Sequence, residues 1–180
     1  HEQAHLTPVL TGQDTRQKVD LIERILTAMG LRGNFPPLLV LIGHGSQSAN
    51  NPQLAGLACG ACCGQSGEVN VRLLASLLND AEIRQALSQR GVHLAPNCHA
   101  IAGLHNTTTD EIQLFDAQLP TALKTHLHRL RQVLDQATHR ARAERASSLG
   151  LKNIKDQPEA LLRALRKRAC DRAQTRPEWG

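Results

Sequence analysis

Leu38 to Ile42 is an uninterrupted apolar run, LLVLI, set between Pro37 and Gly43, and it constrains the fold more than any other stretch of the chain. So short a run, bounded by a proline and a glycine, predicts a β-strand buried on both faces. Helical patterns surround it. Asp14 opens one, with Val19, Ile22, Leu26 and Met29 on one face and Gly30 as its stop. Asn70 opens a second through Val71, Leu74 and Leu78, and Asp80 caps a third through Ile83 and Leu87 to Gly91. "VHLAP", "CHAIAGL" and "EIQLF" read as strand material, the last two joined by the polar turn "HNTTTD". Pro120 begins a long helix through Leu123, Leu127, Leu130 and Leu134 to the region of Ala146, and Pro158 begins a final one through Leu162 and Leu165. This order predicts an α/β fold with a mixed or parallel sheet flanked by helices. We divide it into residues 1–120, the α/β part, and residues 121–180, a basic helical extension.

Phe35, Phe115 and Trp179 are the only aromatic residues, so the core must be built mainly from Leu, Ile, Val and Ala. The same scarcity argues against a base-stacking surface for nucleic acid. The formal charge of +5 gathers in the last third of the chain, where Arg129, Arg131, Arg140, Arg142, Arg145, Arg163, Arg166, Lys167, Arg168 and Arg172 crowd together. Solvated helix faces are the plain reading of that cluster; contact with acidic lipid or a partner subunit is the functional one. No apolar segment approaches the ~18 residues that a membrane span requires. Five cysteines without an N-terminal apolar signal point to a reducing compartment, where clustered thiols mean metal or redox chemistry more often than disulfides. The chain begins without Met and reads as a fragment.

Gly43 to Gly67 predicts a long loop, and its cysteines favour a functional one. His44 stands just beyond the C-terminal end of the predicted strand, where sites gather in open α/β sheets. From position alone it can be a zinc ligand, a general base or a structural residue. Cys59 and Cys62 have the C-x-x-C spacing that lets two thiolates meet one zinc or form a reactive disulfide, and Cys63 follows directly. A thioredoxin-like pair would open a helix straight after a strand, whereas this one follows a loop. Cys98, His99 and His105 lie at predicted strand boundaries, with Cys98 read first as a core position; Cys170, in the basic tail, reads as inert. Thr107, Thr108, Thr109 and Asp110 can satisfy one another's backbone groups in turns. Alternatively, His105 or Asp110 shares the strand-end cleft with His44, and spacing does not choose between these readings.

Taken in order, "GHGSQSANNP", "CGAC", "NVRLLASLLN", "HNTTTDEIQLFD" and the terminal "RPEWG" resemble the DabA family, the large subunit of an energy-coupled inorganic carbon pump. The resemblance runs from about Phe35 to Gly180 and implies a β-carbonic-anhydrase-like half with a helical C-terminal extension. It further implies a zinc ion held by two cysteines, one histidine and one aspartate. His44 matches the family's histidine and Cys59 its second cysteine; the other cysteine and the aspartate belong to an upstream C-x-D strand end that these residues do not contain. Ala58 stands where the family has an acidic residue, and Cys63-Gly64 where it has Gly-Gly, which adds a thiol near the site. The implied activity is vectorial hydration of carbon dioxide to bicarbonate. An aspartate ligand would serve as the gate, and a membrane-embedded ion-translocating partner subunit of the DabB type would do the coupling. The implied location is peripheral, on the cytoplasmic face of the cell membrane. Two readings of the residues themselves stand beside this one. The first is a self-contained structural zinc module using Cys59, Cys62 and two of Cys98, His99 and His44; the second is a thiol-redox protein using Cys59 and Cys62.

Overall fold

The computed structural model describes residues 7–47, 59 and 63–170. Helix α1 (Thr15–Ala28) starts where the Asp14 carboxylate accepts the Gln17 N–H while the Gln17 side chain accepts the Asp14 N–H. This reciprocal pairing satisfies two amide donors that a helix start otherwise leaves bare. Val19, Ile22 and Leu26 are buried as their spacing predicts. Met29, expected on the same face, is 53% exposed. It is the C-cap residue, past the last helical turn, and Gly30 leaves the helix at a φ of +72°.

Strand β1 (Leu38–Gly45) runs three residues beyond the apolar stretch, so His44 lies within it rather than after it. The expectation of burial on both faces is corrected here. Leu39, Leu41, Gly43 and Gly45 are buried, whereas Ile42, 44% exposed, and His44 leave the opposite face open. Because strand side chains alternate, the run's apolar residues are divided between a covered face and one that becomes exposed along the strand. Helices α2 (Glu68–Asn79) and α3 (Ala81–Gln89) follow, the latter capped by the Asp80 carboxylate on the Ile83 N–H as predicted. "VHLAP" is irregular, not a strand. The Arg84 guanidinium holds this segment, donating to the carbonyls of Leu94, Ala95 and Cys98 in place of a neighbouring strand.

Strands β2 (His99–Asn106) and β3 (Glu111–Phe115) complete a sheet of order β1-β2-β3. His99 N–H bonds the Pro37 carbonyl at one end and Thr107 N–H the Gly45 carbonyl at the other, so β1 and β2 are parallel. The four-residue turn between β2 and β3 makes that pair antiparallel, and the sheet is mixed. Helices α4 (Lys124–Arg145) and α5 (Pro158–Cys170) each follow a short 3-10 turn. The fold class is α/β, as predicted. No helix among the described residues is long and apolar enough to cross a membrane.

The chain divides into two compact units. The first comprises His1–Ile42, Val69–Gly103 and Leu114–Leu127. Its core joins Val19, Ile22 and Leu26 to Leu39, Leu41, Leu78, Leu87 and Ala100, with Phe35 and Phe115 only partly buried at its margin. Aliphatic packing therefore replaces the aromatic core that composition denies. Within this unit the Asn79 amide takes both backbone groups of Ala100, accepting its N–H at 2.8 Å and donating to its carbonyl at 2.7 Å. The side chain thus acts as one further residue of ladder. The second unit comprises Gly43–Glu68, Leu104–Gln113 and His128–Gly180, with Ala146, Leu149, Leu161 and Leu165 at its centre.

Candidate functional site

In a parallel pair, the residue whose N–H reaches the carbonyl of residue i lies opposite residue i+1. The two bonds that fix the β1–β2 register therefore set His105 opposite His44. Opposite residues of parallel strands share a face, and neighbouring strands lie ~4.8 Å apart. The two histidines accordingly occupy neighbouring positions at the ends of adjacent strands, His44 exposed and His105 about one-third exposed.

The segment that returns after Cys59 is stitched to the same strand end. Gly67 N–H donates to the His44 carbonyl at 2.7 Å, and Gly64 N–H donates to the Cys59 carbonyl at 2.9 Å. Only three residue steps separate these two anchors. Cys59 is half-buried, while Cys63 is exposed and holds a φ of +52°, in the left-handed region that favours glycine. Cys62 lies outside the described residues.

The turn after β2 is wired on every side. His105 Nε2 lies 3.2 Å from Asp110 Oδ1, and Arg145 pairs with the other oxygen of that carboxylate while donating to the Thr107 carbonyl. Asp110 is buried with a φ of +56°, and its N–H bonds the Asn106 carbonyl at 2.7 Å. Thr108 Oγ1 accepts the Gln47 N–H and donates to the Gln47 carbonyl, both at 3.0 Å. Thr107 sends its N–H and its hydroxyl to the Gly45 carbonyl. Arg142, 4% exposed, donates through Nε to the Thr109 carbonyl at 2.7 Å. Burial draws the Arg142 pKa down from its usual value, and the carboxylates of Glu111 and Asp110 oppose that.

The "HNTTTD" knot is thus both a network of turns and a neighbour of His44, two readings that spacing had left as alternatives. Cys98 is buried in the first unit's core, where burial pushes its thiol pKa up, and burial lowers that of His99. Among the described residues, no group of three or more His, Cys, Asp and Glu side chains comes together as a metal site. Sequence reasoning missed Arg142 and Arg145, which the plain reading assigned to solvated helix faces. Arg166 likewise pairs with Glu111, and Arg168 donates to the Leu149 carbonyl. The signal for Arg142 was faint. It recurs on the helical period with Leu127, Thr138 and Ala146, all buried, but arginine at such a position ordinarily reads as solvent-facing.

The family described as "Probable inorganic carbon transporter subunit DabA" matches the chain over residues 1–180. Relatives bearing that same description include a protein of Ectopseudomonas mendocina (strain ymp), 56% identical over 97% of this chain and 22% of its own length. One from Methylovorus glucosotrophus (strain SIP3-4) is 51% identical over 96% of this chain and 20% of its own length. One from Vibrio cholerae serotype O1 (strain M66-2) is 47% identical over 100% of this chain and 22% of its own length. The chain therefore spans about a fifth of the length of these relatives. No solved structure matches it.

Proposed function

The chain belongs to the DabA family, and on that premise we propose that it is part of an inorganic carbon transporter subunit in which His44 and Cys59 hold a zinc ion. The supporting observation is the backbone stitch that ties Gly64 to Cys59 and Gly67 to His44. It ties the segment that follows Cys59 to the backbone of His44, and a thiolate and an imidazole are both donor types that zinc takes. Two donors fall short of zinc's usual four, so the remainder come from outside the described residues.

A zinc ion held by His44 and Cys59 would lower the pKa of water toward neutrality and so supply hydroxide to carbon dioxide. The chain's own residues supply position. The His44 carbonyl is held by Gly67, its neighbour Gly45 is held by Thr107 after β2, and the open face of β1 leaves the His44 side chain accessible. Hydration joins the oxygen of water to the carbon of carbon dioxide and releases one proton, giving bicarbonate. Net accumulation needs that proton removed, which we assign to a membrane-embedded ion-translocating partner of the DabB type. The subunit itself docks peripherally on the cytoplasmic face of the membrane.

The test uses the full-length family protein carrying this sequence, together with its partner, in cells that depend on it for inorganic carbon. His44→Ala and Cys59→Ser should each lower the zinc content of the purified protein and abolish bicarbonate uptake. Unchanged zinc and uptake in both variants would overturn the site.

A further inference from the structure

Resting on that reading, we propose that His105 is a second functional imidazole of the same site, accepting a hydrogen bond from the water that adds to carbon dioxide and so orienting it beside His44. The register sets the two histidines opposite each other on the same face. Asp110 decides which ring nitrogen is available. A nitrogen bonded to a carboxylate carries the hydrogen, so the 3.2 Å contact between Nε2 and Asp110 Oδ1 favours the tautomer with its hydrogen on Nε2, in which Nδ1 is the acceptor. Carbon dioxide has no hydrogen to give such an acceptor. The nucleophile has one to give whether it is present as water or as hydroxide, and the arrangement therefore selects it rather than the gas.

The support behind His105 exceeds what a partly exposed side chain needs for packing. Asp110 is buried, adopts a left-handed backbone, and has its second oxygen taken by Arg145. Arg145 also holds the Thr107 carbonyl, and Arg142 holds that of Thr109, so the carboxylate is anchored from α4 as well as within its own turn. Asp adopts the left-handed region more readily than most residues, and the turn and α4 together hold it there. The result is one imidazole tautomer held beside the candidate metal ligand.

Four variants of the full-length protein test this in the complete transporter: His44→Ala, His105→Ala, His105→Asn and Asp110→Asn. His105→Ala should keep its zinc and its melting behaviour but lose about tenfold or more in maximal uptake rate, with the KM for inorganic carbon little changed. His105→Asn, whose amide oxygen offers an acceptor near the position of Nδ1, should recover part of the rate. Asp110→Asn keeps a residue tolerant of the left-handed backbone but donates to Nε2, which reverses the tautomer. It should match His105→Ala in rate, and nitrogen-15 spectra of histidine-labelled protein should show the hydrogen moved from Nε2 to Nδ1. Wild-type uptake in His105→Ala, or loss of zinc from it, would overturn the orienting role while leaving the His44 site standing. Unchanged zinc and uptake in His44→Ala would overturn both.

Discussion

A side-chain carbon placed on Gly43 would lie 2.7 Å from the carbonyl oxygen of Gly67 and 2.8 Å from its carbonyl carbon. The two backbones touch where β1 delivers His44 and where the chain returns from Cys59. Any residue larger than glycine at position 43 must push that return segment away, because the obstacle is main chain rather than a side chain that can rotate. Gly43→Ala should therefore cost about 1–3 kcal/mol and lower zinc content with it. Gly67→Ala should cost less, since its added carbon meets Gly43 Cα and His44 N at 3.1 Å. Denaturant midpoints of the two variants check the order.

Cys63 carries a backbone conformation that suits glycine, at a φ of +52°. Left-handed geometry costs an ordinary residue about 1–2 kcal/mol, and the greater freedom of an unfolded glycine gives back part of the gain. Cys63→Gly should stabilise the protein by about 0.5–1 kcal/mol, read as a rise in melting temperature. Cys63→Val, with a branched side chain in the same conformation, should move it the other way.

Asn79 completes the β2 ladder through its side chain, and Ala100, which it serves, is buried. Asn79→Ala would leave a buried N–H and a buried carbonyl unpaired, at a cost of about 2–4 kcal/mol. Asn79→Asp keeps the acceptor and loses the donor, so it should fall between. Amide exchange at Ala100 should be faster in both variants than in the parent protein.

Glu111 is paired with Arg166, and that hydrogen bond holds its carboxyl below the usual glutamate value of 4.5. A depressed folded-state value means that the unfolded chain takes up the proton first as pH falls. The stabilisation is fully present above the ordinary glutamate range and is lost as pH drops through the folded-state value. Glu111→Gln and Arg166→Gln should each flatten the acid limb of a stability-against-pH curve, and the double variant should be no flatter than either alone.

The aliphatic core was legible from residue types and periods: Val19, Ile22 and Leu26 follow the helical spacing, and Asp14 and Asp80 mark helix starts through local hydrogen bonds that need only neighbours in sequence. The α/β class was legible for the same reason, although local patterns left a mixed sheet beside a parallel one and read the irregular "VHLAP" as a strand. Met29 and the outer face of β1 were misread where a local pattern met an end or an open side of the structure. The site was legible only in part. His44 and Cys59 came from motif resemblance, whereas His105 stood among alternatives. Its place beside His44 depends on the register between two strands 61 residues apart, and register is decided by pairing across the sheet. Arg142 and Arg145 were beyond local reading altogether. A guanidinium on a helix faces solvent by default, and only the folded chain brings the bare carbonyls of Thr107 and Thr109 and the Asp110 carboxylate to α4, where pairing offsets the cost of burying the charge.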